Sequence, residues 1–564
     1  MLEELISWDI FLYSLLFLWA FLPLLYKLLF GLYTIQLKEY RLDRFKEYIF
    51  TPQWKKGLFN FWFILELILF LMLFLVFILN SFSFFKIENY LIFIYIFFLV
   101  FFILESIFVL IKIKKKNILK PKITSRLLII IGLFIIWWAV DIYFILFWWY
   151  YIYSFLYILL VFLTMPLIIF FYNLLSLPLV NYKKNKQINS AIKKSKKIDE
   201  VIKIWITGSY GKSSVKEFLS SILEQNTPPS LPLEGGVLKT PENQNTEMSV
   251  SALILNKLNN SYKYFIAEMG AYKIWEISIL WKIVNHKYWF LTAIWNQHIW
   301  LFGSQENIVK GKFEILEKVI ENNWILYVNV DNQNIEKYLN SPISPFHKGD
   351  KQVSLNIVKY WINWEKLDAK SEILEINNLK TKFSFNYKKN KEEFETNLIW
   401  KHNILNLTWI LAFCYDIWLE TENLKKYLLN IKSPKNTWEI IKKNDLILID
   451  DTYNLSEAGL KSWIDLLKYF KNKEKILVLD DILELWKESE EIHYNIAKEI
   501  AENKLVNKVI FCWSNYKKSF VDWLIKWWFE QESILSTKGF SPLKNSVILF
   551  EGRNAKKYLN KLSK

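Results

Sequence analysis

The chain has 564 residues, too many for one hydrophobic core, and 53% hydrophobic with 18% aromatic residues excludes a disordered protein. Two cysteines, Cys414 and Cys512, exclude a disulfide-built secreted fold and point to a reducing compartment. A formal net charge of +16 admits nucleic acid or an anionic membrane as partner, and the placement of the charges decides between them.

The first 180 residues read as membrane. Apolar stretches near 9–30, 58–80, 88–111, 127–147 and 151–175 are each long enough to cross the roughly 30 Å of a bilayer core as helices. The first lacks the basic start and small-residue cleavage site of a signal peptide. Basic residues alternate between loops. Lys38, Arg41, Arg44, Lys46, Lys55 and Lys56 follow the first stretch, and a run from Lys112 to Arg126 follows the third. NYKKNKQINSAIKKSKK follows the fifth, whereas the two remaining connections hold one lysine or none. The positive-inside rule then sets the N-terminus outside and everything beyond about residue 180 in the cytoplasm. Membrane topology accounts for much of the net charge, so no nucleic-acid partner is required. Asp141 falls inside the fourth stretch, where an ionisable group marks function, a helix end or a bundle-facing position.

A basic linker, 181–199, leads to a different pattern. VIKIWI reads as a buried strand, TGSYGKSS (207–214) as a glycine loop, and VKEFLSSIL as a helix. Strand, glycine loop, Lys-Ser and helix together form a phosphate-binding loop. Gly208, Ser209, Gly211 and Ser214 would bring backbone N–H groups to the phosphates at a helix N-terminus. Lys212 would meet the β/γ-phosphates and Ser213 a Mg²⁺ ion.

The short loop resembles the ATP loop of the Mur ligase family. FIAEMGA (265–271) resembles the family strand that ends in a metal-binding glutamate, here Glu268. AIWNQHIWLFGSQENIVKGKFEIL (293–316) is similar to its metal-site segment, with His298 and Lys312 at matching places. VNVDN (328–332) and KHNILN (401–406) resemble further family segments, the latter an adenine-side motif with His402, Asn403 and Asn406. IDDTYNLSEAGL (449–460) and ILVLDDILELWKESEEIH (476–493) resemble the C-terminal segments of the MurF type, with Asp451 on the nucleotide and Tyr453 and Asn454 on the substrate side. LKTPENQNTEMSV (238–250) resembles a substrate loop with Asn243, Asn245 and Thr246, although such residues also build ordinary turns.

The resemblance covers roughly 200–564. It implies a P-loop α/β Mur ligase central domain at 200–432 and a Rossmann-like α/β C-terminal domain at 433–564, after a five-helix transmembrane domain at 1–180. It further implies an ATP-dependent ligase that forms an amide through an acyl phosphate, in peptidoglycan precursor assembly at the bacterial inner membrane. The implied acceptor is a muramoyl peptide, UDP-linked or lipid-linked, and the amine a D-alanyl-D-alanine-like dipeptide. Lys212, His298 and Lys312 would serve catalysis, and Ser213, Glu268, His298 and Lys312 would hold Mg²⁺, with Lys312 carbamylated. The rivals are another amide ligase of the family, and a transporter or membrane scaffold with an ATPase domain. The family's UDP-binding domain has no counterpart in residues 1–200, no arginine stands at Trp438-Glu439, and Asp480 stands where the family has glycine.

The chain has 27 Trp and only 14 Gly, although glycine ordinarily makes up roughly 7% of a protein. Trp275, Trp295, Trp400 and Trp486 stand at glycine positions of the family pattern, and Trp361 and Trp418 fall where turn glycines are common. The reading that follows is a gene in which UGA encodes glycine, translated with tryptophan at those codons; the alternative is genuine tryptophan with a rearranged site.

Overall fold

In a computed structural model of the protein, the described residues are 2–37, 40, 61–81, 90–114, 121–148, 151–209, 211–227, 236–242, 244–270, 276–284, 287–294, 305–313, 319, 324–341, 357–361, 368–377, 380–399, 401–433, 439–452, 460, 467, 470, 472–480, 489–502, 506–512, 517–526, 534–535 and 545–563. They fall into two compact units, Met1–Asn185 and Lys186–Lys564.

The first unit is helical, with helices Leu2–Leu37, Phe61–Ser81, Leu91–Lys114, Ser125–Trp148 and Tyr151–Leu175. Nearly every side chain on them is apolar, so no polar face exists to turn toward water. One core gathers Leu32, Ile35, Leu127, Ile130, Met165 and Ile169, and another Leu16, Ala20, Phe98, Phe102, Leu159 and Phe162. Large apolar side chains also face outward, among them Phe61, Phe93 and Leu167. By length and composition, four segments can cross a membrane: Leu18–Gln36, Phe61–Asn80, Ile92–Lys114 and Leu156–Lys197. The fourth expected span lies on helix Ser125–Trp148, whose apolar stretch among the described residues is Ser125–Ile136. Asp141 is on that helix, and its side chain is outside the described set.

The second unit holds two sheets. The first has strands β1 (Ile202–Thr207), β2 (Val237–Lys239), β3 (Tyr264–Glu268), β4 (Tyr288–Leu291), β5 (Ile325–Asn329), β6 (Ile357–Trp361), β7 (Ala369–Asn377), β8 (Lys380–Tyr387) and β9 (Asn390–Thr396). Their order is β2-β3-β1-β4-β5-β6-β7-β8-β9, parallel as far as β7 and antiparallel from there. Side chains alternate across a strand, and both faces here are covered, so the strands read as continuous apolar runs. Trp205, Phe265, Ala267, Trp289 and Leu291 enter the core on one face, and Ile204, Ile206, Tyr264, Ile266 and Phe290 the core on the other. Helices Lys212–Gln225, Lys401–Asp416 and Thr421–Asn430 bury residues in the second of these cores.

The basic segment 181–199 is helical as far as Lys197, within helix Leu177–Lys197. Its stripe Ile188, Ala191 and Ser195 is buried, and the first two join the first core. Ser195 Oγ donates to the Val284 carbonyl at 2.7 Å, and Lys203 Nζ to the Ser195 carbonyl at 2.6 Å.

The second sheet has strands β10 (Glu439–Lys443), β11 (Leu446–Asp451), β12 (Glu474–Leu479), β13 (Lys508–Phe511), β14 (Ile534–Leu535) and β15 (Ser546–Glu551), in the order β10-β11-β15-β12-β13-β14. Only β10 runs antiparallel to its neighbour. Ile399, at the end of the first sheet's region, is buried in the core of the second.

Candidate nucleotide and metal site

In open parallel sheets, ligands bind at the carboxyl ends of strands where the strand order reverses. Strand β1 is central, with β3 on one side and β4 on the other. The loop after it is pinned from both sides. Ser209 N–H donates to the Ala293 carbonyl at 2.6 Å, Thr207 Oγ1 to the Met269 carbonyl at 3.2 Å, and Thr292 N–H to the Thr207 carbonyl at 3.0 Å. The loop's glycines are required by geometry. Gly208 has φ 144° and Gly211 φ 83°, both in the region that favours glycine. A Cβ on Gly208 would run into Thr292 Oγ1, and one on Gly211 would sit 3.7 Å from the Asn406 amide. The predicted adenine-side Asn406 therefore stands beside the phosphate loop.

Gly211 is the N-cap of helix Lys212–Gln225, and no side chain caps it. The first N–H groups of that helix lack intrahelical acceptors, and with the helix dipole they favour an anion there. Lys212 Nζ folds back to donate to the Gly208 carbonyl at 2.8 Å. Burial lowers the Lys212 pKa, while the nearby Glu268 carboxylate opposes the change.

Glu268 ends β3 and is 5% exposed. Its Oε2 accepts from Ser213 Oγ at 2.9 Å and lies 3.2 Å from Lys216 Nζ. Its Oε1 faces Asn245 Nδ2 at 3.5 Å, and its backbone N–H donates to Thr240 Oγ1 at 3.0 Å. Loop, metal-type carboxylate and one predicted substrate residue are thus brought together. The sequence reading missed Lys216, whose side chain is 1% exposed. The available signal was a lysine one turn beyond Ser213, on the same helix face.

Other predicted residues fall into place separately. Thr246 caps helix Glu247–Asn256 in a reciprocal pair with Ser249, so its hydroxyl holds a helix end. Lys312 is buried on helix Gln305–Phe313, and Ser214 is buried in the first turn after the glycine loop. Burial pushes the His402 pKa down to about 3, so the imidazole is neutral at physiological pH. Asn403 is buried and donates to the Ile399 carbonyl at 3.2 Å. Asp450 accepts from the Thr452 N–H at 3.0 Å and hydroxyl at 2.6 Å, a local turn. Asp451 ends β11 in register with Glu551 of β15. Asn243, His298, Tyr453 and Asn454 lie outside the described residues, as do Trp275, Trp295, Trp400, Trp438 and Trp486. Trp361 ends β6.

Ser213 and Glu268 supply hard oxygen donors, which suit Mg²⁺, an ion that keeps several waters and needs few protein groups. Among the described residues, no three His, Cys, Asp or Glu side chains gather into a ligand set. The positive-φ glycines, the open helix end and Lys212 suit a nucleotide's phosphates.

The Mur ligase middle domain matches residues 206–414. Curated relatives are named UDP-N-acetylmuramoyl-tripeptide–D-alanyl-D-alanine ligase. That of Buchnera aphidicola subsp. Baizongia pistaciae is 28% identical over 307 residues, 54% of this chain and 62% of the relative. That of Escherichia coli is 26% identical over 308 residues, 54% of this chain and 63% of the relative. The chain thus spans less than two thirds of the length of these relatives. MurF from Acinetobacter baumannii superposes with a TM-score of 0.55 at 20% identity, over 67% of this chain and 80% of that one. MurF ligase from Thermotoga maritima in complex with ADP also gives 0.55 at 20% identity, over 67% and 83%. The α/β fold that superposes is that of the Mur ligases, and the chain is similar to MurF-type members of that family over its middle domain.

Proposed function

We propose that the protein is an ATP-dependent amide ligase of peptidoglycan precursor assembly that joins a D-alanyl-D-alanine-like amine to the terminal carboxylate of a muramoyl peptide. The observation that carries the reading is the Ser213–Glu268 contact beside the positive-φ glycine loop, which sets metal-type oxygens next to a phosphate cradle. In this reading ATP phosphorylates the acceptor carboxylate, the amine attacks the acyl carbon, and phosphate leaves. Bound Mg²⁺ would neutralise charge on the transferring phosphoryl oxygens, held by Ser213, Glu268, His298 and a carbamylated Lys312. The loop N–H groups hold the phosphates, and Lys212 releases the Gly208 carbonyl to meet them. ADP release that requires both a muramoyl-tripeptide acceptor and D-alanyl-D-alanine is the expected result. ADP release independent of the amine would overturn the ligase reading in favour of a transporter ATPase. Lys212→Ala should lower kcat by roughly 10²–10³-fold.

The outward apolar side chains of residues 1–180 support a multi-pass membrane domain, and the alternation of basic loops favours a cytoplasmic catalytic part. An acceptor carried on a membrane lipid fits that placement. Equal activity on UDP-linked and lipid-linked acceptors would argue against it.

Recoding of UGA as glycine draws support from two places in the fold. Helix Lys401–Asp416 ends with Leu419 N–H donating to the Cys414 carbonyl at 2.9 Å and Trp418 N–H to the Tyr415 carbonyl at 3.1 Å. That pattern puts Trp418 at the position where helices favour a left-handed glycine, with φ 62° and an indole 91% exposed. Trp205 and Trp289 pair directly across β1 and β4, with ring centroids 3.8 Å apart, closer than the usual 4.5–7 Å of aromatic pairs. UGG codons at all of 275, 295, 400 and 486 would end the recoding reading, and UGG at 205, 289 and 418 would remove the support from the fold.

A further inference from the structure

Three ionisable side chains meet inside the helical unit. Lys27 of helix Leu2–Leu37 donates to both carboxylate oxygens of Glu66, on helix Phe61–Ser81. Glu66 is fully buried, and Glu105 of helix Leu91–Lys114 is 4% exposed. Glu105 lies close enough to Glu66 and Lys27 to interact electrostatically with both. Its Oε2 is buried without a hydrogen-bond partner among the described residues. Helix Tyr151–Leu175 contributes the Phe162 ring, 4.7 Å from Lys27 Nζ. The neighbouring cation Lys112 is engaged elsewhere, donating to the Tyr26 hydroxyl at 2.9 Å and lying over the Tyr26 and Phe108 rings. Ser106, next to Glu105, donates to the Trp19 carbonyl at 2.7 Å.

The charge count is the argument. A lysine and one glutamate form a neutral pair and would suffice to tie two helices. The second glutamate, if ionised, leaves one negative charge without a counter-charge in a buried place, which is costly unless a cation joins it. We propose that Glu105 and Glu66, with Lys27 as their fixed counter-charge, form a binding site for one exchangeable small monovalent cation, a proton or an alkali ion. Exchange is balanced. An alkali ion entering the site displaces the proton of the Glu105 carboxyl, which passes to carboxylate. The site rests on burial within the helical unit and stands or falls separately from the ligase reading.

The test is carboxyl labelling of the full chain in lipid nanodiscs with dicyclohexylcarbodiimide, mapped by peptide mass spectrometry. This reagent modifies protonated carboxyl groups in apolar surroundings. Labelling at Glu105 or Glu66 is expected to decline as pH rises. Slowing by Na⁺ at fixed pH and ionic strength would identify an alkali-ion site, and insensitivity to Na⁺ a proton-only site. Lys27→Met removes the positive charge that favours ionisation, so its labelling should persist to higher pH. Glu105→Gln should abolish labelling at 105 while the protein stays monodisperse. Absence of labelling at both carboxyls, or labelling indifferent to pH and Na⁺ alike, would overturn the proposal.

Discussion

A carboxylate buried at the end of a parallel strand needs cations or donors within reach, and Glu268 has Lys216, Ser213 and Asn245. Lys216→Met should destabilise the protein by roughly 3 kcal/mol, since it leaves the other charge of a buried pair exposed to apolar surroundings. An unchanged urea midpoint would mean that the pair carries little. Glu551 is the contrasting case. It is fully buried at the end of β15, and burial first, then Asp451 and Asp450, raise its pKa well above the ordinary value of 4.5. The folded state therefore binds a proton that the unfolded chain loses above about pH 4.5, so stability declines as pH rises past that point. Glu551→Gln should match the parent in acid and exceed it in urea resistance at neutral and alkaline pH. Gly208, Lys212 and Ser213 were legible in the sequence because a phosphate loop is local and contiguous. Lys216 and Glu551 were not, since only packing made one buried lysine and one buried glutamate out of residues that usually face water.

At the scale of elements, the apolar runs before Thr207 and Glu268 were readable as strands, and their ends as ligand positions. The order β2-β3-β1-β4 was not, because it depends on crossovers over tens of residues. The segment 181–199 illustrates the limit of composition. Its lysines suggest an open linker, yet Ile188, Ala191 and Ser195 recur at helical spacing and form a buried stripe. The helix end at Trp418 carries a sharper expectation. A side chain at φ 62° costs about 1 kcal/mol, and the exposed indole offsets little of it. Trp418→Gly should therefore raise stability by about 1 kcal/mol in urea unfolding, and a loss would contradict the glycine assignment.

At the scale of the molecule, the chain divides into Met1–Asn185 and Lys186–Lys564. Each unit has its own buried cores, so a fragment starting at Leu177 should fold and retain amine-dependent ADP release while losing membrane association. Sedimentation with vesicles of the full chain but not of the fragment is the expected outcome. Equal sedimentation of both would place the membrane affinity in the α/β unit.

Composition and order of motifs alone determined that an apolar helical region precedes an α/β region with a glycine loop, because hydrophobic length and glycine-loop spacing are local properties. The family likeness was legible for the same reason, as short segments in a preserved order. Tertiary structure decided which groups share a site. Glu268 is 55 residues from Ser213, and Lys27, Glu66 and Glu105 come from three helices. Such meetings arise from burying apolar faces against each other, and no one-dimensional pattern records which polar groups are carried inside together.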